Sequence, residues 1–324
     1  MWDGSQPRTL PRRTVIAGAA SAFLVEAAPV MAAELRFFAR TRLSIGLELY
    51  TLGPDLGAHL GEQLAALHAI GFRVVEPSSL FGRTPRQFRA LLDKAGLSAP
   101  SMHLPASASG SNPAIGEEIG PLAEAMHVLG IETVILPFLL IPHRLDARPR
   151  LGETYGDAVA RVVSQMSGDD WELTADFLNR RGAVLQQAGL SLGYHNHNVE
   201  FFPMGGRTGL DILLENTDPK LVSFEMDAGW VVAAGADPAR LLERCPGRFR
   251  LMHVKDIKAN TKRNYAMHMD PAKIGGGIID WAKLLPLAYK SGVRHFIIER
   301  EPPFSQPRIE AARLDFEYLQ ALKA

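Results

Sequence analysis

Six short apolar runs of this chain stop on, or beside, a side chain that can bind a metal or move a proton. They are VVE at Glu76, SMH at His103, LGYHNH around His195 and His197, FEMD at Asp227, LMHV around His253 and FIIE at Glu299. Neutral imidazole nitrogens beside anionic carboxylate oxygens suit a first-row divalent ion of borderline hardness. The same groups can abstract or return a proton. One such terminus alone is ordinarily a cap or an ion-pair residue, so the signal lies in the repetition. In YHNHNVEF, residues 194–201, His195 and His197 stand two apart, so an extended strand turns both to one face and Asn196 outward. Asp227 closes a buried run, where an unpaired carboxylate is costly; this favours a ligand role over a plain helix cap. Lys255, in HVKD, shares the face of His253 and can orient a hydroxyl, stabilise an enolate, or simply pair with Asp256 or another neighbour. Arg300-Glu301, just after Glu299, reads as a solvated pair.

These residues need elements to position them. Eight candidate strands fall at 44–49, 73–76, 98–103, 133–136, 191–195, 222–227, 250–254 and 295–299. Amphipathic stretches such as LGEQLAALHAIG, RQFRALLDKAG, PLAEAMHVLG and WELTADFLNRRGAVLQQAG separate them, closing on Gly71, Gly96, Gly130 and Gly189 as left-handed helix caps. Strands alternating with helices pair in parallel, and eight such units predict a closed (β/α)8 barrel. The rival open doubly wound sheet needs a Gly-rich phosphate turn after its first strand, and none follows Leu49. In a barrel, the strand carboxyl ends form the catalytic face, which is where the ionisable residues lie. The glycine-rich KIGGGIIDW, residues 273–281, lacks a Lys-Ser/Thr ending and does not directly follow a strand. It reads as a flexible loop into a helix capped by Asp280. The long connection after the fourth strand, residues 137–168, is expected to be a lid over the catalytic face or an interface between copies.

Composition narrows the class. With 47% hydrophobic residues and 35 Lys+Arg against 35 Asp+Glu, the 324-residue chain is globular and has no global field for nucleic acid or an anionic membrane. The single cysteine, Cys245, excludes an intramolecular disulfide framework and a Cys-rich metal site. Residues 1–33 read as a twin-arginine export signal: Arg12-Arg13, an apolar run too short to span a bilayer, and small residues near Ala32. The expected location is the periplasm, with no stable membrane insertion.

The ordered set VEP, HNHNVEF, FEMDAGW, HVKD, GGGIIDW and IIE resembles the sugar phosphate isomerase/epimerase family, whose fold is the xylose isomerase-like TIM barrel, from about residue 44 to the C-terminus. That resemblance implies one divalent ion, Mn2+ first and Zn2+, Mg2+ or Co2+ otherwise. Its Asp, His and last Glu ligands fall on Asp227, His253 and Glu299. The family's first Glu ligand is replaced by His195, a departure similar to the inosose dehydratase branch, which puts a two-carboxylate epimerase scheme in doubt. Trp230 stands where the family's Asp-x-x-His places a histidine, and it is read as a stacking surface for a sugar ring.

The expectation is therefore a barrel over residues 34–324 with metal ligands His195, Asp227, His253 and Glu299. Glu299 would be the base, with Lys255 or His103 the complementary acid, and Glu76, His197, Glu200 and Trp230 would line the sugar site. The expected activity is divalent-metal-dependent sugar isomerisation or epimerisation, by proton abstraction next to a metal-bound carbonyl. The alternatives are a metal-dependent lyase, dehydratase or hydratase on a keto-sugar or glycoside, and a non-catalytic sugar-binding barrel. The partner is a small sugar or keto-sugar and not nucleic acid, with a homo-oligomer open.

Overall fold

The computed structural model describes Met1 and residues 36–108 and 112–324, so the export-signal reading of residues 1–33 lies outside the described residues. Eight parallel strands form one sheet: β1 Ile45–Glu48, β2 Val74–Glu76, β3 Ser101–His103, β4 Thr133–Leu136, β5 Ser191–His195, β6 Val222–Asp227, β7 Phe249–Val254 and β8 His295–Ile298. Their order is β2-β1-β8-β7-β6-β5-β4-β3. The remaining seam, between β2 and β3, is bridged in parallel at Val74 and Ser98, with Val75 N–H donating to Ser98 O at 2.9 Å and His103 N–H donating to Pro77 O at 3.0 Å. The sheet thus curls into a nearly closed barrel, as eight strand–helix units require.

The third strand is shorter than the sequence pattern predicts, and Pro100 is the reason. Its ring nitrogen carries no proton for the ladder. Its carbonyl instead receives both Glu132 N–H at 2.8 Å and Thr133 N–H at 3.0 Å. Regular pairing begins only at Ser101.

Because strand side chains alternate, the lumen is built in layers two residues apart. Ile135, Leu251 and Ile297, on β4, β7 and β8, form a small apolar cluster of their own. Gly46 and Gly193 leave room for it: a Cβ at Gly46 would crowd Ile297, and one at Gly193 would collide with Ile135. One step toward the carboxyl ends, the residues two further along these strands are Glu48, His195, His253 and Glu299, all buried. The apolar layer is the floor on which the polar layer stands. Among the described residues no helix is long and apolar enough to cross a membrane.

The 137–168 connection contains a helix, Tyr155–Val163, capped reciprocally by Thr154 and Asp157. Gly156 packs against the Ala266 carbonyl and His268 bonds Asp157 at 3.0 Å, so the insert is clasped to the loop after β7. Phe138, at the start of the insert, meets the His197 ring edge-on at 5.5 Å between centroids. This places the insert beside the catalytic face.

Candidate active site

The carboxyl ends of the strands deliver a buried cluster of ionisable side chains. His195 Nε2 lies 4.0 Å from Asp227 Oδ2, His253 Nδ1 lies 3.9 Å from the same oxygen, and His253 Nδ1 lies 2.6 Å from Glu299 Oε2. These four residues, from β5, β6, β7 and the end of β8, offer ligand atoms within 4.8 Å of one another. Asp227 is held in place by capping the helix Ala228–Ala233, its Oδ1 accepting Trp230 N–H at 2.9 Å. Its Oδ2 is buried without a hydrogen bond, although Lys255 Nζ stands 2.9 Å away. A buried acceptor held only by an ion pair, next to imidazole nitrogens, fits a divalent cation.

Glu225 decides which nitrogens are left to face Asp227. Its Oε2 is 2.9 Å from His195 Nδ1 and 3.3 Å from His253 Nε2, so it engages the far nitrogen of each ring. A carboxylate behind a histidine fixes ring tautomer and orientation and raises the basicity of the nitrogen that coordinates. Glu225 lies two residues before Asp227, on the same strand face and one layer down. The period-two pattern that pairs His195 with His197 also puts Glu225 on the face of Asp227, a signal that the strand termini alone do not carry.

Opposite, Glu76 Oε1 lies 2.8 Å from His103 Nε2 and 3.2 Å from His253 Nε2, while Ser101 Oγ–H bonds Glu76 Oε2. His103 Nε2 is also 2.8 Å from Glu225 Oε2. Glu48, which sequence reasoning missed, is buried nearby; its Oε1 accepts Tyr50 N–H at 3.2 Å and its Oε2 is unpartnered.

The electrostatics follow from burial and from these partners. Burial pushes Asp227 up to about 6, with Lys255 pulling back and Glu299 pushing further up. Burial also raises Glu299, but Lys255 and His253 more than offset it and hold the carboxylate well below its usual range. Burial lowers His195 to about 4, keeping it neutral as a ligand must be. It lowers His103 too, yet Glu76 and Glu225 outweigh it and hold the ring protonated well above the usual range. Glu48 is pushed up to about 8, first by burial.

Several expectations are corrected. Lys255 does pair with neighbours, though not with Asp256: it is fully enclosed by Asp227, Glu299 at 2.9 Å and Glu301 at 3.1 Å. Arg300-Glu301 is not a solvated pair, since Arg300 turns inward to Asp315 at 3.4 Å and Glu301 reaches Lys255. Asp256 instead accepts N–H groups of Gly275, Gly277 and Ile279 and the Trp281 indole, pinning the glycine-rich loop that was expected to be flexible. Those donors are already spent on a carboxylate, which leaves no phosphate cradle there. Asn196 points away from the lumen but is buried, its Oδ1 accepting Asp227 N–H at 3.2 Å. Glu200 does not line the mouth: it sits behind it, bonded by Tyr194 Oη–H at 2.7 Å and His197 N–H at 2.8 Å. Trp230 is buried under His197, ring centroids 5.7 Å apart, with Lys255 Nζ 4.9 Å from its ring centroid. His197 is half-buried between Phe138 and Trp230.

A sequence profile described as a xylose isomerase-like TIM barrel matches residues 64–322, most of the chain. The chain belongs to that family. Within it, the chain is 26% identical to the inosose dehydratase of Geobacillus kaustophilus over 290 residues, 83% of this chain and 90% of the relative. It is 31% identical to that of Geobacillus thermodenitrificans over 175 residues, 48% of this chain and about half, 53%, of that relative. Among solved structures, a sugar phosphate isomerase/epimerase from Parabacteroides distasonis superposes with TM-score 0.64 at 24% identity, covering 86% of this chain and 94% of that one. The 3-keto-D-glucoside 4-epimerase of E. coli does so with TM-score 0.56 at 15% identity, covering 86% and 99%. At these identities the two superpositions show the shared barrel of this family.

Proposed function

We propose that the chain is a divalent-metal-dependent lyase that removes water from a cyclic keto-polyol, of the class an inosose represents. The observation that carries this reading is the donor set His195, Asp227, His253 and Glu299 with Glu225 seated behind both imidazoles. The relative covering most of this chain, an inosose dehydratase, supports the choice of reaction. Mn2+ is the first candidate, ahead of Zn2+, Mg2+ or Co2+. When bound, the ion supplies Lewis-acid polarisation of a ketone, which lowers the cost of taking a proton from the adjacent carbon.

The chain's own residues account for the rest. Glu299 Oε2 is held by His253 and Lys255, leaving Oε1 without a protein partner to accept the proton. Loss of that proton places an electron pair between the two carbons, and the carbon–oxygen bond to the β-hydroxyl breaks. His103 serves as acid: Nε2 is turned inward to Glu76 and Glu225, leaving Nδ1–H to protonate the departing hydroxyl, which leaves as water. Lys255 neutralises Asp227 and Glu299 and steadies the negative charge that develops beside them. His197, half-buried, is the edge against which the ring rests, with Trp230 packed beneath it.

A second reading, sugar isomerisation or epimerisation, shares the first step and draws on the epimerase neighbours. It is disfavoured by His195, which occupies the place of a second basic carboxylate. A metal-free sugar-binding barrel is the third.

The test is metal analysis and turnover together. The purified chain is expected to hold Mn2+ and, with an inosose in D2O, to release water and form an enone absorbing in the ultraviolet. Asp227→Asn should lose both the ion and the turnover. Deuterium exchange with an epimer formed and no water lost would move the second reading forward. A folded protein that takes up no metal would leave the binding barrel. We also propose that residues 1–33 direct twin-arginine export to the periplasm; replacing Arg12-Arg13 by lysines should retain the precursor in the cytoplasm, and unchanged export would refute this.

A further inference from the structure

Of the three groups of donors at the mouth, one, His103, His195, Glu225 and His253, overlaps the other two, which share no residue with each other. Beside His195, Asp227, His253 and Glu299, the trio Glu48, Glu76 and His103 on the β1–β3 side also offers ligand atoms within 4.8 Å of one another. Every member is at least nine-tenths buried. Glu48 Oε1 is occupied by Tyr50 N–H, and Oε2, enclosed and without any partner, is the oxygen left to give. Ser101 fixes the far oxygen of Glu76 and leaves Oε1 toward His103 Nε2, 2.8 Å away. That spacing matches two adjacent ligands on one ion, so a cation can take the place of the proton now shared between them.

We propose that Glu48, Glu76 and His103 form a second divalent-cation site beside the first. It takes an oxygen-tolerant ion of the Mn2+ or Zn2+ class, and it leaves His103 Nδ1–H free as the donor toward the mouth. The inference stands on this geometry and rests on the first metal site only for the coupling expected between two neighbouring ions.

The experiment titrates the full chain, freed of ions by a chelator, with Mn2+ alone, reading stoichiometry by equilibrium dialysis and ion–ion coupling by electron paramagnetic resonance. Wild type is expected to bind two equivalents with a coupled spectrum. Glu48→Gln keeps a carbonyl oxygen for Tyr50 N–H and should bind one, uncoupled; Asp227→Asn should lose the other. A wild-type chain that saturates at one equivalent, or a Glu48→Gln chain that still binds two, overturns the second site. If that single equivalent disappears in Asp227→Asn and persists in Glu48→Gln, the first site stands alone. No uptake by wild type refutes both.

Discussion

The two halves of the barrel mouth carry the same residue types but hold them differently. On the β5–β8 side, the outer nitrogens of His195 and His253 and the Oδ2 of Asp227 converge, with Glu299 bonded to His253 and Lys255 Nζ set against both carboxylates, while Glu225 binds the rings from behind. On the β1–β3 side, Glu76 and His103 are bonded to each other, and Glu48 is tied by its cap to Tyr50. The first arrangement is preorganised to receive a ligand. In both, a proton or the Lys255 charge must be displaced before a cation enters, but in the second the carboxylates sit on Nε2 of His103 itself. The strands differ to match: β6 and β7 are six residues long, whereas β2 and β3 are three and meet across a single bridge. A carboxylate seated behind the imidazoles, more than the count of donors, sets the two sides apart.

The sharpest way to break this contrast is to disable the β5–β8 side. Glu299→Gln removes the base while keeping the shape of the side chain, and turnover should fall by about 10^2 to 10^4-fold. Equal turnover in the variant would move the base to another residue.

A smaller effect tests whether burial behind β5 is structural. Glu200 titrates at about 7 when folded against an ordinary 4.5, because burial opposes its charge. A carboxyl raised on folding adds stability below its unfolded value, and that contribution is lost as pH rises through the folded value. Stability should therefore drop by up to roughly 3 kcal/mol between about pH 4.5 and 7, and Glu200→Gln should remove that slope in denaturant melts. Parallel pH profiles for the two proteins would refute the assignment.

Glu225→Gln keeps the packing but weakens the support behind both rings. Mn2+ affinity at the first site should fall by about 10 to 100-fold in competition with a chromophoric chelator. An unchanged affinity would mean that the two sides are not distinguished by their backing. The mildest change acts through the insert: a methyl at Gly156 collides with the Ala266 carbonyl and should cost about 1 kcal/mol or more of thermal stability. Separating the insert from the loop after β7 should also raise KM more than it lowers kcat.

Much of this molecule is written along the chain. Apolar runs of strand length, glycine caps at Gly71, Gly96 and Gly130, and a repeated ionisable terminus specify eight strand–helix units and place His195, Asp227, His253 and Glu299 at one end, because strand and helix periods are local properties. Alternation also fixes which face a residue takes. It does not say which faces meet. His253 and Glu76 are 177 positions apart and touch only because the barrel curls shut, and His103 reaches Glu225 across 122 positions. The same closure surrounds Lys255 with three carboxylates and turns Asp256 to the backbone of the glycine-rich loop, where neighbouring residues alone pointed to an ion pair. Charge pairing in a buried site is a property of distance in space and of shared desolvation, so the tertiary structure assigned the partners for side chains that the sequence had already brought to the mouth.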